Sequence, residues 1–163
     1  VGRGGAQHRN LTILRRLEGR HHALDELPYR FDAIAGYPLP VLLREHLEVA
    51  NGGYSEPNGY VVPHPDGRID VHQVDCFLAL HGNHWDGELP DAYRRRPLLD
   101  VLADLQDEFP DEAMVPFALD AFGGVLAVKI DAGEAGDVVL ITPDGEDPHF
   151  VAASFTEFLE NLH

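Results

Sequence analysis

The chain has a single cysteine, a single methionine, a single tryptophan and a single lysine among its 163 residues. One cysteine excludes an internal disulfide framework. Cys76 lies in the apolar stretch "VDCFLAL" and reads as a small buried hydrophobe rather than a nucleophile. A reducing compartment, the cytoplasm, is therefore expected. No apolar run approaches the roughly 20 residues a membrane span needs, and no charged segment followed by an apolar one marks a signal peptide. The usual catalytic signatures are missing as well: there is no G-x-S-x-G elbow, no P-loop and no G-x-G-x-x-G. The chain opens on Val1, not Met. Residues 1–9, "VGRGGAQHR", are set aside as a flexible lead or an engineered scar, and residues 10–163 are read as one domain.

What the chain has in excess is negative charge. Twelve Lys and Arg stand against 28 Asp and Glu, a formal net charge of −16. The imbalance is local. Residues 1–96 carry 11 Arg against 13 acids, whereas residues 97–163 carry Lys129 alone against 15 acids. Phosphate would be repelled, so direct binding to nucleic acid or an anionic membrane is disfavoured and a basic protein partner is expected. Surface acid also keeps a protein soluble without any partner. Oligomeric state does not follow from these numbers.

Hydropathy patterning predicts an α+β fold. Asn10 caps a helical pattern in "LTILRRLEGRHHALDEL" that Gly19 and Pro28 interrupt. In "PLPVLLREHLEVANGG", Pro40 suits a first helical turn, Leu43, Leu47 and Ala50 share a face, and Asn51-Gly52 stops the helix. Strand patterns follow in "GYVV" and "RIDVHQVDCFLAL" around the turn "PHPDG". Ile69, Val71 and Gln73 alternate there with Asp70, His72 and Val74. "PLLDVLADLQDEF" is an amphipathic helix ended by Pro110. "VPFALDAFGGVLAVKI" reads as a hairpin. Val115, Phe117 and Leu119 take one face, Leu126, Val128 and Ile130 take one face of the next strand, and Gly123 and Gly124 lie at the reversal. Both hairpin faces are apolar, which predicts a central place in the sheet. "DVVLIT" and "HFVAA" complete the strands, and Ser154 and Glu157 have capping-box spacing ahead of a final helix.

Residues that could carry chemistry are few. His81, His84 and Asp86 fall close together in a polar connection, but no second His/Cys cluster completes a zinc pattern. They would be the ligands of a metal-dependent hydrolase, the least favoured function. Ser154 is used as a cap. The acidic helix is the stronger signal. Asp100, Asp104 and Asp107 lie at i, i+4 and i+7 with Glu108 beside them, opposite Leu98, Val101, Leu102 and Leu105. Like charges at that spacing cost about 0.2–0.5 kcal/mol per pair, and Asp107 and Glu108 also oppose the helix dipole. Local stability does not select this arrangement. Asp111 and Glu112 extend it, and the six together are the candidate partner-binding surface.

The order of motifs resembles the SUKH superfamily, specifically its Smi/Knr-type domain. The residues that carry the resemblance are Leu39-Pro40, Asn51-Gly52-Gly53, Phe117-Ala118-Leu119-Asp120 with Gly123, and Ser154-Phe155 with Phe158-Leu159. It spans about residues 11–162. The resemblance implies a mainly antiparallel sheet packed by N-terminal helices and a C-terminal helix, with these residues in structural roles. Asp120 would fix its turn by accepting backbone N–H bonds. Bacterial members of that family are regarded as immunity proteins that bind and neutralise a cognate toxin, often a nuclease; fungal relatives act through protein partners. The expectation is a non-enzymatic immunity protein without cofactor or metal, alternatively a regulatory or scaffold module of the same fold.

Overall fold

The structure is a computed structural model and describes residues 35–49, 52–79 and 98–163. The helical pattern at 10–27, Asn51 and the His81–Asp86 loop lie outside the described residues. Among those described, the elements are α1 (Val41–Val49), β1 (Gly59–Pro63), β2 (Ile69–Phe77), α2 (Leu98–Glu108), β3 (Met114–Asp120), β4 (Val125–Asp131), β5 (Glu134–Ile141), β6 (His149–Ala152) and α3 (Phe155–Glu160). The fold is α+β, as predicted.

All six strands form one antiparallel meander in the order β1-β2-β3-β4-β5-β6. The apolar hairpin predicted to be central is β3–β4, in the middle of it. Its strands carry few charges because both faces are buried, where an unpaired ionised side chain could not be solvated; the exceptions are the hydrogen-bonded Asp120 and, at the far end of β4, Lys129 and Asp131. On the inner face Leu126, Val128, Val138 and Leu140 join Val115 and Phe117 in the main core. On the outer face Ala127, Val139 and Ile141 pack with Met114 and with Leu105 of α2.

The helices close the inner face. From α1 come Leu43 and Leu47, with Leu39 just before it; from α3 come Phe155 and Phe158. The ring of Phe117 lies 4.9 Å from that of Phe155 and 5.2 Å from that of Phe158, both edge-on. Each such buried side chain contributes roughly 1.5–3 kcal/mol. Ser154 caps α3: its hydroxyl accepts the Glu157 N–H at 3.0 Å, and the Glu157 carboxylate accepts the Ala153 N–H at 2.9 Å.

Register shifts interrupt simple alternation in four of the five strand pairings. A bulge between Pro116 and Ala118 shifts the register of β3 against β4, so that Val115 pairs with Val128 but Leu119 pairs with Val125. Leu119 consequently leaves the face that Val115 and Phe117 share. Helix α1 begins after Pro40, whose carbonyl accepts the Arg44 N–H at 2.9 Å.

The reversal between β3 and β4 divides its labour between two glycines. Gly123 has φ +91°, and Gly124 permits close approach: a Cβ there would lie 2.8 Å from Leu140 Cδ1 and 2.9 Å from the Ile141 carbonyl oxygen. Backbone cannot retreat from that contact as a side-chain tip can. Gly124→Ala is expected to destabilise the protein by about 2 kcal/mol, read as a lower urea midpoint at unchanged slope. An unchanged midpoint would contradict the packing described.

Candidate functional site

Three of the five sheet turns, those joining β1–β2, β3–β4 and β5–β6, emerge on one rim of the meander. The β3–β4 turn is held from within by Asp120, which is buried. One carboxylate oxygen of Asp120 accepts the Phe122 backbone N–H at 2.8 Å. The other accepts the Tyr60 hydroxyl at 2.6 Å and lies 3.1 Å from His72 Nδ1. Register explains the meeting: Tyr60 is paired with His72 across β1–β2, and Val74, two residues on, is paired with Asp120 across β2–β3. All three side chains therefore point to the inner face.

The chemistry of this cluster is structural. Burial, then the hydrogen bond to Asp120 and its charge, hold the Tyr60 hydroxyl well above the ordinary phenol range, so it stays a donor. The Tyr60 ring rests edge-on against Phe158 at 5.5 Å. His72 is edge-on to Phe122, whose ring is 71% exposed. No nucleophile adjoins the imidazole among the contacts of the described residues. Nor are any three His, Cys, Asp or Glu among them placed to hold a metal ion.

A pair of histidines joins the outer turns. His64 Nε2 lies 2.7 Å from Asp70 Oδ2 and His149 Nε2 lies 3.3 Å from Glu146 Oε2. Their rings are 6.0 Å apart, linking the end of β1 to the start of β6. The hydrogen bond from His64 holds the Asp70 carboxyl below its usual range. The backbone of His163 adds to this closure, exchanging N–H···O bonds with Gly59 at 2.8 and 3.0 Å.

The acidic residues singled out in the sequence occupy a different region. Asp100, Asp104, Asp107 and Glu108 are exposed on α2, and Asp111 and Glu112 are exposed in the connection to β3. Glu112 pairs with Lys129 at 3.1 Å. The motif residues are placed in the scaffold. Pro40 is buried at the entry to α1 and Gly52 and Gly53 are buried beyond its exit, where Gly53 exchanges backbone hydrogen bonds with Phe77 at 2.7 and 3.2 Å. Gly52 has φ +87°, and a Cβ on it would lie 2.9 Å from Ala79 Cβ. Phe117, Phe155 and Phe158 meet in the core with Leu159 packed against it, and Asp120 and Gly123 share the turn. Sequence reasoning missed Tyr60 and His72 as the partners of Asp120. The signal for them was the polar half of the β2 alternation, Asp70-x-His72.

No curated protein and no solved structure matches the chain. The family model described as SMI1 / KNR4 family (SUKH-1) matches residues 26–161. That match runs from before α1 to the end of α3 and takes in every motif described above. The chain belongs to the SMI1/KNR4 family (SUKH-1).

Proposed function

We propose that this protein is a cytoplasmic immunity protein that neutralises a cognate toxin, basic and of nuclease type, by occluding it without making or breaking a covalent bond. The observation that carries the reading is the exposed acidic face of α2 and its extension. Asp100, Asp104, Asp107, Glu108, Asp111 and Glu112 stand in a half-chain that holds one lysine. On a scaffold of this family, carboxylates take the place of the phosphates that a nuclease is built to attract. Such complementarity raises the association rate and selects the partner.

The test uses the product of the reading frame adjacent to this gene and the purified full chain. The association rate is expected to fall about 10–100-fold from low to high salt. Asp104→Asn with Asp107→Asn is expected to flatten that dependence. An affinity indifferent to salt and to these substitutions would remove the electrostatic basis of the proposal.

A further inference from the structure

The first half of β2 turns its polar side inward and its apolar side to water, while Val74, Cys76 and Phe77 in the second half are buried. Asp70 and His72 turn to the inner face, where they meet His64 and Asp120. Ile69 and Val71 turn outward and are 61% and 67% exposed. Val61, paired with Val71 across the ribbon, is 40% exposed, and Pro63, paired with Ile69, is exposed too. Before Val74 no residue of β2 pairs with β3, although the other strand of the ribbon is tied to β6 through His64 and His149. A strand pair with β-branched side chains facing water is a sticky surface, and proteins ordinarily blunt such surfaces with charge.

The β3–β4 turn adjoins the base of this ribbon, where the Ala121 N–H donates to the Gln73 carbonyl at 2.9 Å. Phe122 is held outward by the Asp120 turn and set against His72. The β5–β6 turn adjoins it: a Cβ on Gly123 would meet Pro143 at 3.6 Å. That turn contributes exposed Asp144, Glu146 and Asp147, and the β1–β2 turn contributes exposed Asp66 against Arg68. Apolar side chains thus stand among carboxylates.

From this we infer that the turn rim, with Phe122, Val71 and Ile69 as apolar anchors inside a carboxylate border, is the surface on which a basic protein docks. The inference rests on the proposed function and adds to it the anchors that hold the partner once the acids of α2 have steered it. A second copy of this chain fits poorly. Its rim and its net charge of −16 are of the same sign, so two copies would repel. A basic partner turns the same carboxylates into attraction.

The deciding experiment measures binding of the full chain to the product of the reading frame adjacent to its gene. The double variant Val71→Ser with Phe122→Ala is compared with Asp104→Asn/Asp107→Asn and with wild type. Both rim side chains are exposed, and a melting temperature matching wild type checks that the fold is kept. The rim variant is expected to bind at least about 30-fold more weakly, through faster dissociation, while the α2 variant changes mainly association. Rim-variant binding within threefold of wild type, with the α2 variant impaired, would overturn the rim and leave the proposed function standing. No binding by wild type would overturn both. Sedimentation showing a wild-type dimer that the rim variant converts to monomer would assign the rim to a second copy and overturn the basic-partner assignment.

Discussion

Asp120→Ala is expected to destabilise the protein by about 3 kcal/mol, the cost of stranding buried donors around a removed carboxylate. The loss concentrates on Tyr60. Its hydroxyl donates to Asp120 at 2.6 Å, and the residue is 2% exposed, so water cannot replace the acceptor. The Phe122 N–H is different, because that residue lies at the surface and its donor can turn to solvent. Asp120→Asn keeps an acceptor for Tyr60 and should cost about 1 kcal/mol, the net worth of an ordinary hydrogen bond. In a domain of this size the alanine variant should melt roughly 10 °C below wild type. Equal melting temperatures for the alanine and asparagine variants would show that the cluster is not what holds the turn. The comparison bears on function because the same carboxylate fixes the backbone that presents Phe122.

The second large effect is a loss of stability in mild acid that originates at one histidine. His46 on α1 is buried, with its ring 5.1 Å from Phe77 and 5.2 Å from Phe155. Neither ring nitrogen has a hydrogen-bond partner. Burial disfavours the imidazolium and pushes its pKa down from 6.5 to about 4. Above pH 6.5 the ring is neutral in both folded and unfolded chains and the group contributes no slope. Between about pH 6.5 and pH 4 the unfolded chain binds a proton that the folded chain does not, so stability falls as pH falls. Below about pH 4 both states are protonated and the contribution levels off. The full drop is about 3 kcal/mol, from the size of that shift at 1.36 kcal/mol per pKa unit. His46→Leu loses no hydrogen bond and is expected to be nearly neutral at pH 7. The difference between wild type and variant should open progressively on acidification through this window. Parallel urea midpoints from pH 7 to pH 4 would exclude His46 as the source. Asp70, whose carboxyl is held low by His64, works at a lower pH: its stabilisation is present above the unfolded carboxyl pKa and lost as pH falls through the folded one.

The elements legible in advance were those whose evidence is local. The amphipathic stripe Leu98, Val101, Leu102, Leu105 lies within one helix and is buried as its spacing requires. Ser154 and Glu157 cap α3 because the groups involved are neighbours in the chain. The charge-poor β3–β4 hairpin announced its central place because burial on both faces leaves no position for an unpaired ion. The acidic face of α2 was equally visible, since helical periodicity alone puts Asp100, Asp104 and Asp107 on the side opposite the leucines.

Long-range pairing decided the rest. The alternation of β2 offers an apolar face and a polar face, and hydropathy would bury the first. The fold turns Asp70 and His72 inward and leaves Ile69 and Val71 in water, because registers across β1–β2 and β2–β3 bring Tyr60, His72 and Asp120 to one place where their polar atoms satisfy one another. The bulge at Pro116–Ala118 turned Leu119 away from Val115, and no local signal marks a bulge. The chain by itself therefore determined its class, its capped and amphipathic helices and its negative exterior, since each depends on residues a few positions apart. Only the tertiary structure decided which side of β2 faces water and what holds Asp120, because hydrogen bonds between residues 48 and 60 positions apart outweigh the hydropathy of the strand that carries them.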